Sequence, residues 1–238
     1  INLRASQREN ALKTYLNNQA EIDKVKDKLK ELRERKSDLE KTFPSFEGAF
    51  DKVFIVKGEV IKTPKEEDSA TAIEETNKRV MLWNGMSKKF PYISDATLRV
   101  IDGKRYIIVD HRGQAIENLE RFTLDDLNEK QMYQLVSQVV YAFNELGYRI
   151  DDFNNDGNIA IDKEGNAFII DYGNVNKVSK GKDARRSQIV GVIRDFGNMS
   201  RFINAINLNK IIRKIKTLKG YKDYRKQHNK SINDYFYT

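Results

Sequence analysis

Residues 147–173 read GYRIDDFNNDGNIAIDKEGNAFIIDYG, and this stretch decides the fold. An apolar run of helical period precedes it at 131–146. A polar loop dense in Asp and Asn comes next and ends at Asn158. Then come a short strand over Ile159–Ile161, a Lys163-Glu164-Gly165-Asn166 turn, a second strand over Ala167–Ile170, and Asp171-Tyr172-Gly173. Short apolar runs bounded by turn formers are the strand signal. The hairpin between Asn158 and Asp171 sets the step of 13 residues that separates them.

Working outward, Met132, Leu135, Val136, Val139, Val140, Phe143 and Leu146 recur at helical spacing and mark a buried helix that supports the loop. These residues are core, not site. Further upstream the pattern changes to strands. Phe50–Val56 and Glu59–Lys62 flank Lys57-Gly58, a hairpin turn. A helical segment covers Ala70–Met86, and Thr97–Ile101 and Tyr106–Val109 are strands joined by Asp102-Gly103. Asp110-His111-Arg112-Gly113 comes after them. Downstream, Ile189–Ile193 and Phe202–Ile206 are helical and apolar.

In this order the motifs resemble those of the protein-kinase-like superfamily, in the compact form of bacterial effector kinases or other reduced members. The resemblance covers roughly residues 45–206. It implies an α+β, two-lobed fold with a minimal C-lobe, and phosphoryl transfer that depends on ATP and Mg²⁺. Asn158 and Asp171 match the metal-binding Asn and the Asp of the Asp-Phe-Gly motif. Lys62, at the end of a strand, matches the lysine that holds the α- and β-phosphates. Its acidic partner is expected from the next helix, where Glu74 and Glu75 are the candidates and Glu75 is preferred; another register places Asn77 there. Ser45–Val53 resembles a degraded Gly-rich loop in which Gly48, Phe50 and Val53 fit, while Phe46 and Asp51 replace the outer glycines. Asp110 and His111 fall at the hinge, where backbone groups pair with adenine.

The family's catalytic Asp lies five residues before the metal-binding Asn, a place taken here by Phe153. A one-residue insertion restores Asp152 to that role, and Ile150 stands where the family has His. Asp195 resembles the helix aspartate that braces the catalytic loop, although a capping or surface Asp accounts for it as well. No Ala-Pro-Glu segment appears. Only Asn174–Gln188 is available as an activation loop, with Ser179 and Ser187 beside Lys180, Lys182, Arg185 and Arg186. Any activity is therefore expected to be independent of phosphorylation there and to depend on a partner.

Other readings compete. Asp152-x-Asn154-x-Asp156-Gly157 matches the start of an EF-hand calcium loop, but Lys163 occupies the place of the bidentate Glu and a strand stands where a helix should. The alternative to an enzyme is a catalytically inactive kinase-fold protein, binding or structural, that acts through the coiled coil and the basic tail, which the lost glycines and the shifted Asp favour.

Bulk properties bound these readings. The chain has 238 residues, no cysteine and two histidines. Disulfides and Cys-type zinc sites are excluded, and a reducing compartment is expected, either the cytoplasm or a host cytosol into which the protein is delivered. With only His111 and the distant His228, a histidine-based site is not expected. No apolar run is long enough to span a bilayer. The chain begins with Ile, as expected of a fragment or a processed product.

Charge and periodicity divide the chain. Ile22, Val25, Leu29, Leu32, Lys36, Leu39 and Phe43 step 3-4-3-4, a heptad seam that ends at Pro44. Residues 1–43 are read as a coiled-coil-like helix that self-associates, docks on a partner or packs on the main domain. An N-lobe is expected over 44–112 and a C-lobe over 113–206. The net charge of +8 is concentrated near the end, in the tail read over 207–238, where 207–230 hold nine Lys/Arg against one Asp. Such a tail suits an acidic protein, nucleic acid or a membrane surface. A solvated amphipathic helix packed through Ile211, Ile212, Ile215 and Leu218 accounts for the same residues.

Overall fold

A computed structural model describes residues 45–47, 51–56, 58–64, 70–101, 104–199 and 205–227. The heptad seam of 1–43, Gly48 and His228 lie outside the described residues. β1 (Ser45–Glu47), β2 (Asp51–Val56), β3 (Glu59–Pro64), β4 (Ala96–Ile101) and β5 (Lys104–Asp110) form one antiparallel sheet in the order β1-β2-β3-β5-β4. The register sets Val53 against Lys62 on one side and Ile107 against Lys62 on the other. Lys62 is thereby fixed on a central strand, not at a solvated edge. Helix α1 (Ala70–Ser87) packs on this sheet through Leu82, Trp83 and Met86, all buried. Asn84 ties the helix to the first residue of β4, donating to the Ala96 carbonyl at 3.0 Å and accepting from its N–H at 2.7 Å.

The chain leaves the first sheet at the end of β5. His111 N–H donates to the Gly58 carbonyl at 2.7 Å, and Arg112 donates to the Pro91 carbonyl at 2.9 Å. It then enters β6 (Gly113–Ala115), which pairs with β8 (Ile159–Asp162), and β8 with β9 (Ala167–Ile169), in a second antiparallel sheet ordered β6-β8-β9. Gly113 permits this pairing, because a β-carbon there would stand 2.8 Å from the Ile161 carbonyl oxygen. β7 (Tyr148–Ile150) and β10 (Val175–Lys177) form a separate two-stranded ribbon. The expected turn between β8 and β9 forms. Gly165 takes φ +74°, and the Asp162 carboxylate accepts from both the N–H and the side-chain amide of Asn166.

Helix α2 (Glu129–Tyr141) supplies the expected apolar face and continues as one wide turn, Ala142–Leu146, stopped by Gly147 at φ +76°. Asn128 caps it in a reciprocal box with Gln131. The helix has a second use that its apolar pattern conceals. β9 is an edge strand, and its outer backbone groups would be buried without partners. Gln138, fully buried, donates to the Ala167 carbonyl and accepts from the Ile169 N–H, both at 3.0 Å. Gln134 accepts from the Ala167 N–H at 2.9 Å, and Gln131 donates to the Gly165 carbonyl at 3.2 Å. Three amides on one stripe of α2 thus close the sheet edge.

Helices α3 (Lys182–Met199), α4 (Ala205–Ile215) and α5 (Tyr221–Gln227) complete the described fold. Leu208, Ile211, Ile212, Ile215, Leu218, Tyr221 and Tyr224 are all buried and join the same hydrophobic core as α1, α2 and both larger sheets. The basic residues between them, Lys210, Arg213, Lys216, Lys219, Lys222 and Arg225, face solvent. The described part of the basic run is thus an amphipathic pair of helices seated on the main body. Among the described residues no helix is long and apolar enough to cross a membrane.

Replacing Gln138 by Leu keeps the side-chain bulk but strips two buried backbone groups of their partners. The expected loss is about 3 kcal/mol of stability, read as a lower urea midpoint at unchanged slope.

Candidate functional site

The end of β9 is the point where the sequence-expected residues converge. The Ile170 N–H donates to the Asn158 carbonyl at 2.9 Å, extending the β8–β9 ladder by one rung. Asn158 thus stands opposite Ile170, the residue that precedes Asp171. The Asn158 side-chain amide donates to the Asp152 carbonyl at 2.7 Å, which turns its oxygen the other way. The Asp171 carboxylate accepts from the Gly173 N–H at 2.8 Å through Oδ1, leaving Oδ2 without a protein donor among the described residues. This side chain is 37% exposed.

Lys62 reaches across from the first sheet. Its Nζ donates to the Ile170 carbonyl at 2.7 Å and lies 3.8 Å from Asp171 Oδ1. The ammonium also lies 5.6 Å from the centre of the Trp83 ring, and Trp83 meets Tyr172 edge to face at 5.1 Å. Tyr172 is fully buried, so its phenol is pushed far above the ordinary range, and its hydroxyl has no hydrogen-bond partner among the described residues. The Asp-Tyr-Gly turn is thus anchored by its ring while its carboxylate faces outward.

Asp152 sits beside this group on a strained backbone, φ +56°. The left-handed region is tolerated by Asp but costs free energy, and such residues concentrate at functional sites. Phe153 holds the loop down, buried and 4.5 Å from the Phe196 ring. The exposed Asp152 carboxylate accepts from Asn174 Nδ2 at 2.6 Å. Its neighbour Asp151 faces inward, 2.6 Å from Arg149, which also lies 3.5 Å from Asp195 on α3. Asp195 therefore steadies the loop through Arg149. Its carboxyl is raised above the usual range, first by burial and further by Asp151, with Arg149 and Arg194 opposing.

Three expected positions stand apart from this cluster. Glu75 pairs with Lys78 on the next turn of α1, not with Lys62, and Lys78 is further drawn to the Val175 carbonyl at 3.2 Å. Asp110 and His111 are exposed where the chain passes between the sheets, Asp110 lying 3.5 Å from Arg112. Gly48 lies outside the described residues. In the loop that also begins like an EF-hand, β8 starts directly after Asn158 and Lys163 is exposed. Among the described residues no three His, Asp or Glu side chains are grouped as a metal cage. Sequence reasoning missed Arg79, whose Nη1 donates to both Asp51 oxygens at 2.8 and 2.7 Å. The available signal was its position four residues after Glu75, on the same helix face.

No protein-family model matches the chain, and no curated protein matches it. Solved structures similar to it include a high-resolution crystal structure of WbdD, at 13% identity and a TM-score of 0.43, covering 82% of this chain and 51% of that one. A co-crystal of WbdD with a kinase inhibitor gives 14% and 0.42 over 77% and 47%. A further structure of WbdD, described as a bifunctional kinase-methyltransferase, gives 13% and 0.41 over 79% and 47%. The chain spans about half the length of these proteins. Similarity this low assigns neither a family nor an activity.

Arg149→Met removes the cation between Asp151 and Asp195. A half-buried and a buried carboxylate left together are expected to cost about 3 kcal/mol near pH 7. Asp195 has a folded pKa above its unfolded value, so its contribution is fully present below the unfolded value and is lost as pH rises through the folded one. Arg149 opposes that rise, so without it the folded value climbs further and the deficit of the variant should narrow as the solution is acidified towards pH 4, in urea titrations run at each pH.

Proposed function

We propose that this chain transfers a phosphoryl group from ATP, with Mg²⁺, to an acceptor hydroxyl, and that a Ser or Thr of a protein is the acceptor class. The observation that carries the reading is the meeting of Lys62 with Asp171 at 3.8 Å, at the end of a ladder that also delivers Asn158. A cation on a rigid strand beside an outward carboxylate and an amide oxygen is what a metal–triphosphate ligand requires. The donor set, a carboxylate oxygen and an amide oxygen, suits Mg²⁺, a hard cation that keeps several waters. When bound there, the ion supplies charge neutralisation on the phosphate oxygens.

The residues divide the work in this reading. Lys62 holds the phosphates, and its bond to the Ile170 carbonyl keeps its ammonium beside the metal ligands. Asn158 and Asp171 hold the metal. Asp152, exposed and oriented by Asn174, accepts a hydrogen bond from the acceptor hydroxyl and aligns it. The two lobes meet where the chain leaves β5, and backbone groups of Asp110 and His111 pair with the base, the His111 N–H excepted because the Gly58 carbonyl takes it. Glu75 has no part, since Lys78 takes its carboxylate.

A second reading, a nucleotide-binding protein that does not catalyse, is favoured by one observation: Lys62 is oriented by a backbone carbonyl and Trp83, not by a helix glutamate. Two variants separate the readings. Asp171→Ala should abolish Mg-dependent ATP binding while leaving the circular dichroism spectrum and the unfolding midpoint near those of the parent. Asp152→Asn should leave ATP binding intact and lower phosphoryl transfer to a Ser/Thr peptide roughly 10²–10⁴-fold. Unchanged ATP affinity in folded Asp171→Ala would remove Asp171 from the site. Absence of transfer in the parent chain, with binding intact, would select the second reading.

A further inference from the structure

We infer that Arg79 is a second phosphate-binding cation of this site, held back by Asp51. On β2, Val53 lies opposite Lys62, and Asp51 is two residues along, so Asp51 and Lys62 project from the same face of the sheet. Helix α1 meets that face with Arg79 and Trp83, one turn apart. Arg79 takes Asp51, and Trp83 takes Lys62. Across the gap lies the turn after β9. A β-carbon on Gly173 would stand 3.5 Å from Arg79 Nη2 and 3.2 Å from Asp171 Oδ1. Arg79 and Asp171 therefore flank the same glycine. Lys62, Asp171, Arg79 and Asp51 form one cluster of four charges, two of each sign.

Arg79 is underused in this arrangement. A guanidinium carries five N–H donors, and Asp51 engages those of Nη1 alone. Nε is buried with no hydrogen-bond partner among the described residues. A buried guanidinium with unspent donors is costly, and an anion offering several oxygens relieves the cost. Arginine suits phosphate better than lysine because its planar fork engages two oxygens at once. The Arg79 and Lys62 side chains are equally accessible, each 11% exposed. The ligand class is a chain of phosphates long enough to span from Lys62 to Arg79. Asp51 competes with it for Arg79 and so lowers its affinity.

This inference rests on the nucleotide reading only for the identity of the anion, and the test separates the two. Binding of inorganic tripolyphosphate in EDTA, and of ATP with Mg²⁺, is monitored on the full chain through Trp83, its only tryptophan. Asp51→Asn leaves Arg79 a hydrogen-bond acceptor but removes the competing charge. It should tighten tripolyphosphate binding roughly tenfold. Arg79→Lys keeps the charge but loses the fork, and should weaken binding by a similar factor. The double variant should lose the gain of Asp51→Asn. The inference is overturned if Asp51→Asn leaves affinity unchanged, or if its gain persists in the double variant. Should Asp51→Asn not fold, Arg79→Lys decides, and unchanged affinity there overturns the inference. Mg-dependent ATP binding without the tripolyphosphate pattern sinks the role of Arg79 and leaves the nucleotide reading standing. The tripolyphosphate pattern without Mg-dependent ATP binding does the reverse. Binding of neither ligand overturns both.

Discussion

The buried edge of β9 is the constraint on which the rest depends. An edge strand presents backbone donors and acceptors that must be satisfied if it is to be covered by a helix. An all-apolar helix face cannot do this. Gln131, Gln134 and Gln138 solve it with amides that both donate and accept, and they lie on a helix whose other side chains still fill the core. The strand is thereby held from both sides, by β8 and by α2. Ile170 and Asp171, the next two residues along the chain, start from a fixed point.

From that point contacts run to every neighbouring element. The Ile170 N–H closes on Asn158, and the Ile170 carbonyl receives Lys62 from the other sheet. Tyr172 buries its ring on Trp83 of α1, so the turn after β9 is locked to the helix that carries Arg79. Arg149 joins the loop to α3 through Asp151 and Asp195. Gly191 makes room for this, since a β-carbon there would lie 2.6 Å from the Arg149 guanidinium carbon. The outward groups of the site, Asp152 and Asp171, are carried by buried anchors, Phe153 and Tyr172. Rigid support beneath exposed polar groups is the arrangement that positions reacting atoms.

Much of this was legible in the residues. The strand pair around Gly165, the helix over Ala70–Met86 and the apolar face at Met132–Phe143 all form as read, because period and turn chemistry are local signals. The pairing of Asn158 with Ile170, next to Asp171 in the chain, is a consequence of the hairpin between them. Lys62 was legible only through the resemblance of its surroundings. The glutamine stripe was not legible, since a polar residue within an amphipathic helix reads as a solvated face unless the strand edge opposite it is known. The pairing of Glu75 with Lys78 was not legible for a related reason. Lys78, three residues on along the same helix, is a local competitor that the residue order shows, but the pairing it wins depends on where α1 lies against β3. Arg79 was overlooked because its partner, Asp51, lies 28 residues away on another element.

The end of β9 and Lys62 together form, in this reading, a metal–triphosphate site. Calorimetric titration of ATP into the full chain, with Mg²⁺ and then with EDTA, tests that claim most directly. Saturable binding to one site is predicted with Mg²⁺, weaker by about tenfold or more in EDTA, as expected when a metal ligand such as Asp171 has lost its ion. Equal affinity under the two conditions, or no binding under either, would contradict it.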